Sequence, residues 1–247
     1  MRDVLIVGGG VAGLAASIFT ARAGLDTLVV DGGESILARN AHLENYPGFP
    51  DGVDARRYLT LVSDQARNAG ATLELGRVTE ITDNESDAEA SGFHVWTKKD
   101  GGTPLEARRV IAASWPDSEY LLSLEVDREQ RGSKHMVSVD GGGRTSVDGV
   151  YAAGRLAGQP HQSIVAAGHG ATVALAVIHD SEVAFYHDWV TPEGYFTDRD
   201  REVPPGCEEI DDTERRERDE QARKTMLEAF AEPLDDEPTM HPSVAQE

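Results

Sequence analysis

The chain has 247 residues, with 44 acidic side chains against 23 Lys and Arg, and a formal net charge of −21. That balance excludes a general polyanion-binding surface, because phosphate backbones are held by clustered Lys and Arg, so no nucleic-acid partner is expected. No apolar run approaches the roughly twenty residues that cross a bilayer, and no charged segment leads into a removable apolar one at the N-terminus; no membrane partner and a cytoplasmic location are expected.

In chain order, Val4 to Val7 form a short apolar run, as expected of a parallel strand buried on both faces. Gly8, Gly10 and Gly13 follow in the order G-x-G-x-x-G. The first glycine allows a tight turn, the second a close approach of backbone to a pyrophosphate, and the third close packing of helix on strand. A helix then begins with its N–H groups and positive dipole end toward that pyrophosphate. Gly24 closes the helix, Leu28 to Val30 give a second strand, and Asp31 ends it, where a carboxylate accepts from ribose hydroxyls.

Pro47, Gly48 and Pro50 then punctuate a loop, Asp54 caps a helix carrying Tyr58, Leu59, Val62 and Ala66 at helical spacing, and Gly70 ends it. Val78 to Ile81, Phe93 to Thr97 and Leu105 to Ile111 read as antiparallel strands, the last two joined by a turn at Asp100, Gly101 and Gly102. The crossover SWPDSEYLLSLEVD gives no assignable pattern. MVSV and Gly149 to Ala153 are strand candidates around a glycine turn, the second returning to the parallel sheet. HQSIVAAGHGATVALAVIHD is a helix with small residues at Ala166, Ala167, Gly168 and Gly170, suited equally to tight packing and to a flat ligand.

From about Ser181 the composition changes. FYHDWVTPEGYF gathers aromatics near a turn, DREVPPGCEEIDD reads as a polar linker, and Thr213 to Ala231 as a charged helix whose apolar stripe is Met226, Leu227 and Phe230. Such a helix needs a surface to dock on, and the residues after it read as a disordered tail. The expected organisation is a dinucleotide-binding domain over 1–180 and an acidic extension over 181–247. Cys207 is the one cysteine, in PPGCEE, so an internal disulfide and a C-x-x-C pair are both excluded; flanking carboxylates disfavour its thiolate, and an unreactive loop position is expected. The four lysines, Lys98, Lys99, Lys134 and Lys224, give the chain the Lys-poor, acid-rich balance of extreme halophiles' cytoplasmic proteins, although an ordinary acidic protein has the same look.

GGGVAGLAA, HLENYPGFPDGV, RRVIAAS and GRTSVDGVYAAG followed by HQSIVAAGHGATVALAVI, in this order over about residues 1–180, resemble the FAD-binding domain of thioredoxin reductase-like flavoproteins. The resemblance implies an α/β fold: a Rossmann-like FAD/NAD(P)-binding domain with a central parallel sheet and a small antiparallel β layer, here with a helical C-terminal extension. It implies FAD as cofactor, with Gly8, Gly10, Val11, Ala12 and Gly13 at the pyrophosphate and Asp31 at the adenosine ribose. The segment Glu44, Asn45, Pro47 and Gly48 matches one that lies along the flavin, and Val78, Gly154 and Arg155 complete the cofactor-binding set with Gln162 and Ser163 of the late helix, whose first turn lies near the flavin ring. Homodimers are also implied, since family members often pair through this domain.

Three departures qualify the match. The family's second nucleotide-binding domain is expected to be absent between about 115 and 145, where DGGGRTS lacks the fingerprint spacing, and with it the NADPH site. The redox C-x-x-C belongs to that absent domain. Arg155 stands where the family has an Asp that binds the FAD ribitol, and Trp115 where it has a glycine. Arginine accepts no hydrogen bond; it either turns to the pyrophosphate as a cation or marks a weakened site.

The expected function is a FAD-binding oxidoreductase drawing on an external electron donor, a small substrate or a redox partner protein. The alternative is a non-catalytic dinucleotide-binding or regulatory module engaging a protein partner, and NAD with dehydrogenase chemistry is a third reading. His161, at the start of the flavin-facing helix, is the acid–base candidate, beside the plainer reading of a histidine that only touches cofactor. Tyr186, Trp189 and Tyr195 are candidates for a lid over the flavin. His42, near Asn45, carries the same two readings as His161; His169, His179 and His187 form no metal-ligand set, and His187 with Asp188 reads as a surface pair, so no metal is expected.

Overall fold

The computed structural model describes residues 1–33, 35–84, 92–98, 102–235 and 237–241. They fall into two compact units, Met1–Ser181 together with the residues from Pro238, and Glu182–Glu237.

In the first unit, β1 (Arg2–Val7) and β2 (Thr27–Asp31) flank α1 (Val11–Arg22). Val4 to Val7 and Thr27 to Val30 are buried, as strands covered on both faces require. Next come α2 (Ala55–Asn68), β3 (Thr72–Leu75), β4 (Val78–Asp83), β5 (Phe93–Thr97) and β6 (Leu105–Ala112). The connection after β6 holds a 3-10 turn (Glu119–Leu124) and a hairpin of β7 (Arg128–Arg131) with β8 (Lys134–Val137). The chain returns as β9 (Val150–Ala152), a 3-10 turn (Gly154–Ala157) and α3 (Ser163–His179).

The sheet order is β3-β2-β1-β6-β5-β4, with β9 also on β6. β1 runs parallel to both β2 and β6. One edge of β6 forks: Leu105 to Ala107 pair antiparallel with β5, and Val110 to Ala112 pair parallel with β9. Gly149 sits in the crotch, where a Cβ would lie 3.1 Å from the Phe93 ring and 3.4 Å from the Arg108 carbonyl. The segment Leu105 to Ile111 is therefore antiparallel only in its first half. Its second half, buried at Val110 and Ile111, belongs to the central sheet. Of the expected turn at Asp100 to Gly102, only Gly102 lies within the described residues.

A single apolar cluster joins Leu5, Leu28 and Val110 of the sheet to Tyr120, Leu121, Leu124, Val126 and Val137 of the connection after β6. A second one joins Leu14 and Ile18 of α1 to Ala66 and Ala71. Asp54 caps α2, accepting from the Arg56 and Arg57 amides at 2.8 and 3.1 Å and pairing with the Arg56 guanidinium. Replacing Asp54 with alanine is expected to cost about 1–2 kcal/mol, seen as a lower midpoint in a circular-dichroism melt. An unchanged midpoint would deny the cap a role.

In the second unit, β10 (Trp189–Pro192) pairs in parallel with β11 (Cys207–Ile210), and α4 (Asp212–Ala229) follows, capped by Asp211. Here the polar-linker reading of CEEI is corrected. Its acidic side chains serve the unit: Glu209 accepts from the backbone N–H groups of Gly194, Phe196 and Thr197, and from the Thr197 hydroxyl at 2.8 Å. Glu208 binds Arg218 of α4. Cys207 consequently opens a strand rather than lying in a loop, and its thiol donates to the His187 carbonyl at 3.4 Å. Met226 and Leu227 of α4 and Phe230 at its C-cap are exposed. Of the tail, Thr239 donates its amide to the Ala38 carbonyl at 3.4 Å, and residues 242–247 lie outside the described residues.

Candidate functional site

A cleft of about 480 Å³ opens in the first unit, beyond the carboxyl ends of β1, β2, β6 and β9. Open α/β sheets bind ligands there. Its floor is the β1–α1 turn. Gly8 has φ +111, and a Cβ on it would lie 2.9 Å from the Ala113 carbonyl oxygen, so only glycine lets the turn pass the end of β6. Gly10 is the α1 cap and carries no side-chain cap bond. The first N–H groups of α1, at Val11, Ala12 and Gly13, have no acceptor within the helix, and they gather with the dipole at its N-terminus.

Asp31 is fixed at the adjoining corner. Its Oδ1 accepts from the Gly9 amide at 3.2 Å and the Gly33 amide at 3.0 Å. A Cβ on Gly9 would fall 2.5 Å from the Asp31 carboxyl carbon. Gly9 is thus a site residue that the sequence reading missed, although its place in the middle of three consecutive glycines was its visible trace. On the opposite wall, Asn45 donates from Nδ2 to Gln162 Oε1 at 2.8 Å, which ties the loop before α2 to the cap of α3.

Of the other predicted residues, Val11, Ala12, Val78, Arg155, His161 and Ser163 all line the cleft. Gly13 and Gly154 do not reach its wall. A Cβ on Gly13 would lie 3.2 Å from Ile6 Cγ2, and one on Gly154, where φ is +65, would lie 2.7 Å from Ala12 Cβ. Both therefore act by letting α1 sit close to its neighbours. The Gly154 amide donates to His169 Nδ1 at 3.0 Å, which requires that nitrogen to be unprotonated, and burial lowers the imidazole's pKa in the same direction. Glu44 turns to His42 at 2.7 Å.

Sequence reasoning also left out Arg77, Ser114, Asp117 and Tyr120 of the cleft. Arg77 pairs with Asp117 at 3.1 Å, and the Ser114 hydroxyl meets the Tyr120 phenol at 2.7 Å. Burial pushes that phenol far above its ordinary range, so it stays neutral. Trp115, joined to Pro116 by a cis peptide, completes this wall. In the second unit the His187 ring lies tilted against Tyr186 and Trp189, at 4.2 and 5.1 Å between centroids, and Trp189 meets Tyr195 at 4.9 Å. Among the described residues there is no group of metal-ligating side chains, and no helix is long and apolar enough to cross a membrane.

A family model described as FAD binding domain matches residues 3–42. A thioredoxin reductase of Rickettsia felis is 33% identical over 131 residues, 52% of this chain and 40% of that protein. One from Aquifex aeolicus is 41% identical over 87 residues, 34% of this chain and 27% of that protein. This chain thus spans less than half the length of either relative. The solved structure of a thioredoxin reductase from Gloeobacter violaceus superimposes with a TM-score of 0.65 at 19% identity, covering 76% of this chain and 98% of that one. The fold is that of thioredoxin reductase-like FAD flavoproteins, and FAD is the cofactor its cleft matches. The residues present fit it: unpaired helix N–H groups for a diphosphate, and a free Asp31 oxygen for ribose. Gly10 leaves the floor open, since a Cβ there would have no neighbour nearer than Ser35 Oγ at 3.8 Å.

Proposed function

We propose that this chain, whose thioredoxin reductase-like FAD-binding fold is the premise, is an oxidoreductase working from a single nucleotide site and supplied by an external electron donor or small substrate. The observation that carries the reading is the continuity of one cleft from Asp31, past the α1 N-terminus, to the Asn45–Gln162 bridge and the first turn of α3. FAD, when bound there, supplies hydride and electron transfer. The α1 N–H groups and Asp31 bind its adenosine diphosphate half, and Asn45, Gln162 and Ser163 orient the other half. His161 stands exposed on the cleft wall, placed to meet a substrate that enters it.

The short connection between β6 and β9, a 3-10 turn and a hairpin, supports a protein without the family's second nucleotide domain, and the lone Cys207 supports one without a thiol pair. A separate redox protein, or a homodimer, then completes the reaction in a reducing, cytoplasmic setting. The second reading, a non-catalytic dinucleotide module, is favoured by one observation: Arg155 in place of a ribitol-binding carboxylate.

A visible absorption spectrum of protein purified in high salt, repeated with added FAD and then a chemical reductant, tests the choice. Flavin bands that bleach and return in air are expected. Bound flavin that does not turn over with any donor would favour the module, and no flavin binding would overturn the cofactor assignment.

A further inference from the structure

We propose that Trp115 and Arg155 form an anion clamp, in which the indole holds the guanidinium so that it takes the diphosphate of the bound dinucleotide alongside the α1 N-terminus. The inference rests on the FAD reading of the cleft and assigns a role to the two residues that depart most from the family pattern.

Register brings them together. Ala112 of β6 pairs with Ala152 of β9, and Trp115 and Arg155 each lie three residues beyond that pair. The Arg155 guanidinium carbon sits 5.2 Å from the Trp115 ring centroid, inside the range of a cation–π contact. Both residues are half-buried and both line the cleft.

Charge gives the pair a direction. Arg155 spends one donor on the Gln159 carbonyl, Nη1 to oxygen at 3.0 Å, and a guanidinium has five N–H donors. Among the described residues no carboxylate lies within ion-pair distance of it. Arg77 on the same wall is neutralised by Asp117 at 3.1 Å. A half-buried arginine without a carboxylate, in a chain with 44 acids to 23 bases, is a cation kept for a ligand. That ligand is anionic, because Arg155 directly follows Gly154, which packs on Ala12 in the first turn of α1. Two positive features then face one cleft: the helix N–H groups and the guanidinium. An anion with several oxygens satisfies both. A neutral polyol chain would use neither charge.

The test is equilibrium titration of the apoprotein with FAD, ADP and riboflavin at one fixed salt concentration, for wild type, Arg155→Gln, Arg155→Lys, Trp115→Ala and the Arg155→Gln/Trp115→Ala double variant. Melting curves check that each variant is folded. Arg155→Gln is expected to weaken ADP and FAD by the same factor, about 10–100-fold, and to leave riboflavin unchanged. Arg155→Lys, which keeps the charge without the fork, falls between. Trp115→Ala weakens ADP by about 3–30-fold, and the double variant is no weaker than Arg155→Gln alone. Wild-type affinity for ADP in Arg155→Gln, or an equal loss for riboflavin, would overturn the clamp. Binding of ADP without FAD in the wild type would sink the FAD reading alone, and binding of neither would sink both.

Discussion

Gly170→Val is expected to cost the first unit about 3 kcal/mol or more, a fall of about 6–12 °C in melting midpoint for a unit of this size, and to weaken FAD binding at least tenfold. Gly170 lies on α3 directly over the first turn of α1. A Cβ there would lie 2.9 Å from the Ala12 carbonyl carbon and 3.1 Å from its Cα, with the carbonyl oxygen nearer still. Backbone, unlike a flexible side chain, has nowhere to swing, so a branched residue pries the helices apart. Ala12 carries one of the free N–H groups of the cleft, and Ser163 and Ala166 of α3 form part of its wall. Packing and binding therefore fail together. Gly168, two residues earlier, has nothing within 4 Å of the same built atom, so Gly168→Ala should instead add about 0.5–1 kcal/mol from helix propensity. Thermal melts and FAD titration of the two variants would contradict this account if they moved alike.

Asp180→Asn is expected to cost about 2 kcal/mol near neutral pH, and to flatten the acid limb of the stability profile. Asp180 follows α3 and gathers three elements: Arg144 reaches its carboxylate through Nε at 2.6 Å and Nη2 at 2.9 Å, the Tyr151 hydroxyl of β9 donates at 2.8 Å, and Arg109 of β6 donates to its carbonyl. The Arg144 hydrogen bonds, ahead of burial's opposing effect, hold the Asp180 carboxyl well below the usual carboxylate range. The unfolded chain then binds the proton more readily than the native one, so stability rises with pH across that interval. The contribution is complete above about pH 5 and is lost as pH falls from about 4 toward the native value. Arg144 is 39% exposed, so solvent screens part of the ion-pair energy. Melts between about pH 2 and pH 7 would show the gap between wild type and variant closing toward acid; a constant gap would remove the network from the account.

What the sequence made legible was local. The β1–α1–β2 unit and Asp31 lie within one short stretch, where strand burial, glycine spacing and the following carboxylate reinforce one another, and the Asp54 cap announces its own helix. Pairings across long separations were hidden. Gly9 is a ligand of Asp31 only once β1 and β2 are side by side. Trp115 and Arg155 read as two isolated oddities until the β6–β9 register sets them face to face. The connection after β6 showed no period because a 3-10 turn buries Tyr120, Leu121 and Leu124 irregularly, and β11 read as linker because one of its glutamates, Glu209, serves neighbouring amides and the other, Glu208, pairs with Arg218.

The position of β1 in the sheet also orders how the protein comes into being. Val4 pairs with Thr27 on one side but with Arg109 on the other. A chain emerging from the ribosome can pair the first edge early, yet the second waits for β6. The cleft waits longer still, until α3 closes on α1. Contacts of such sequence separation fold slowly, and an open strand edge invites pairing with other chains. The net charge of −21 gives the half-made chain a means of staying apart from its copies through that interval.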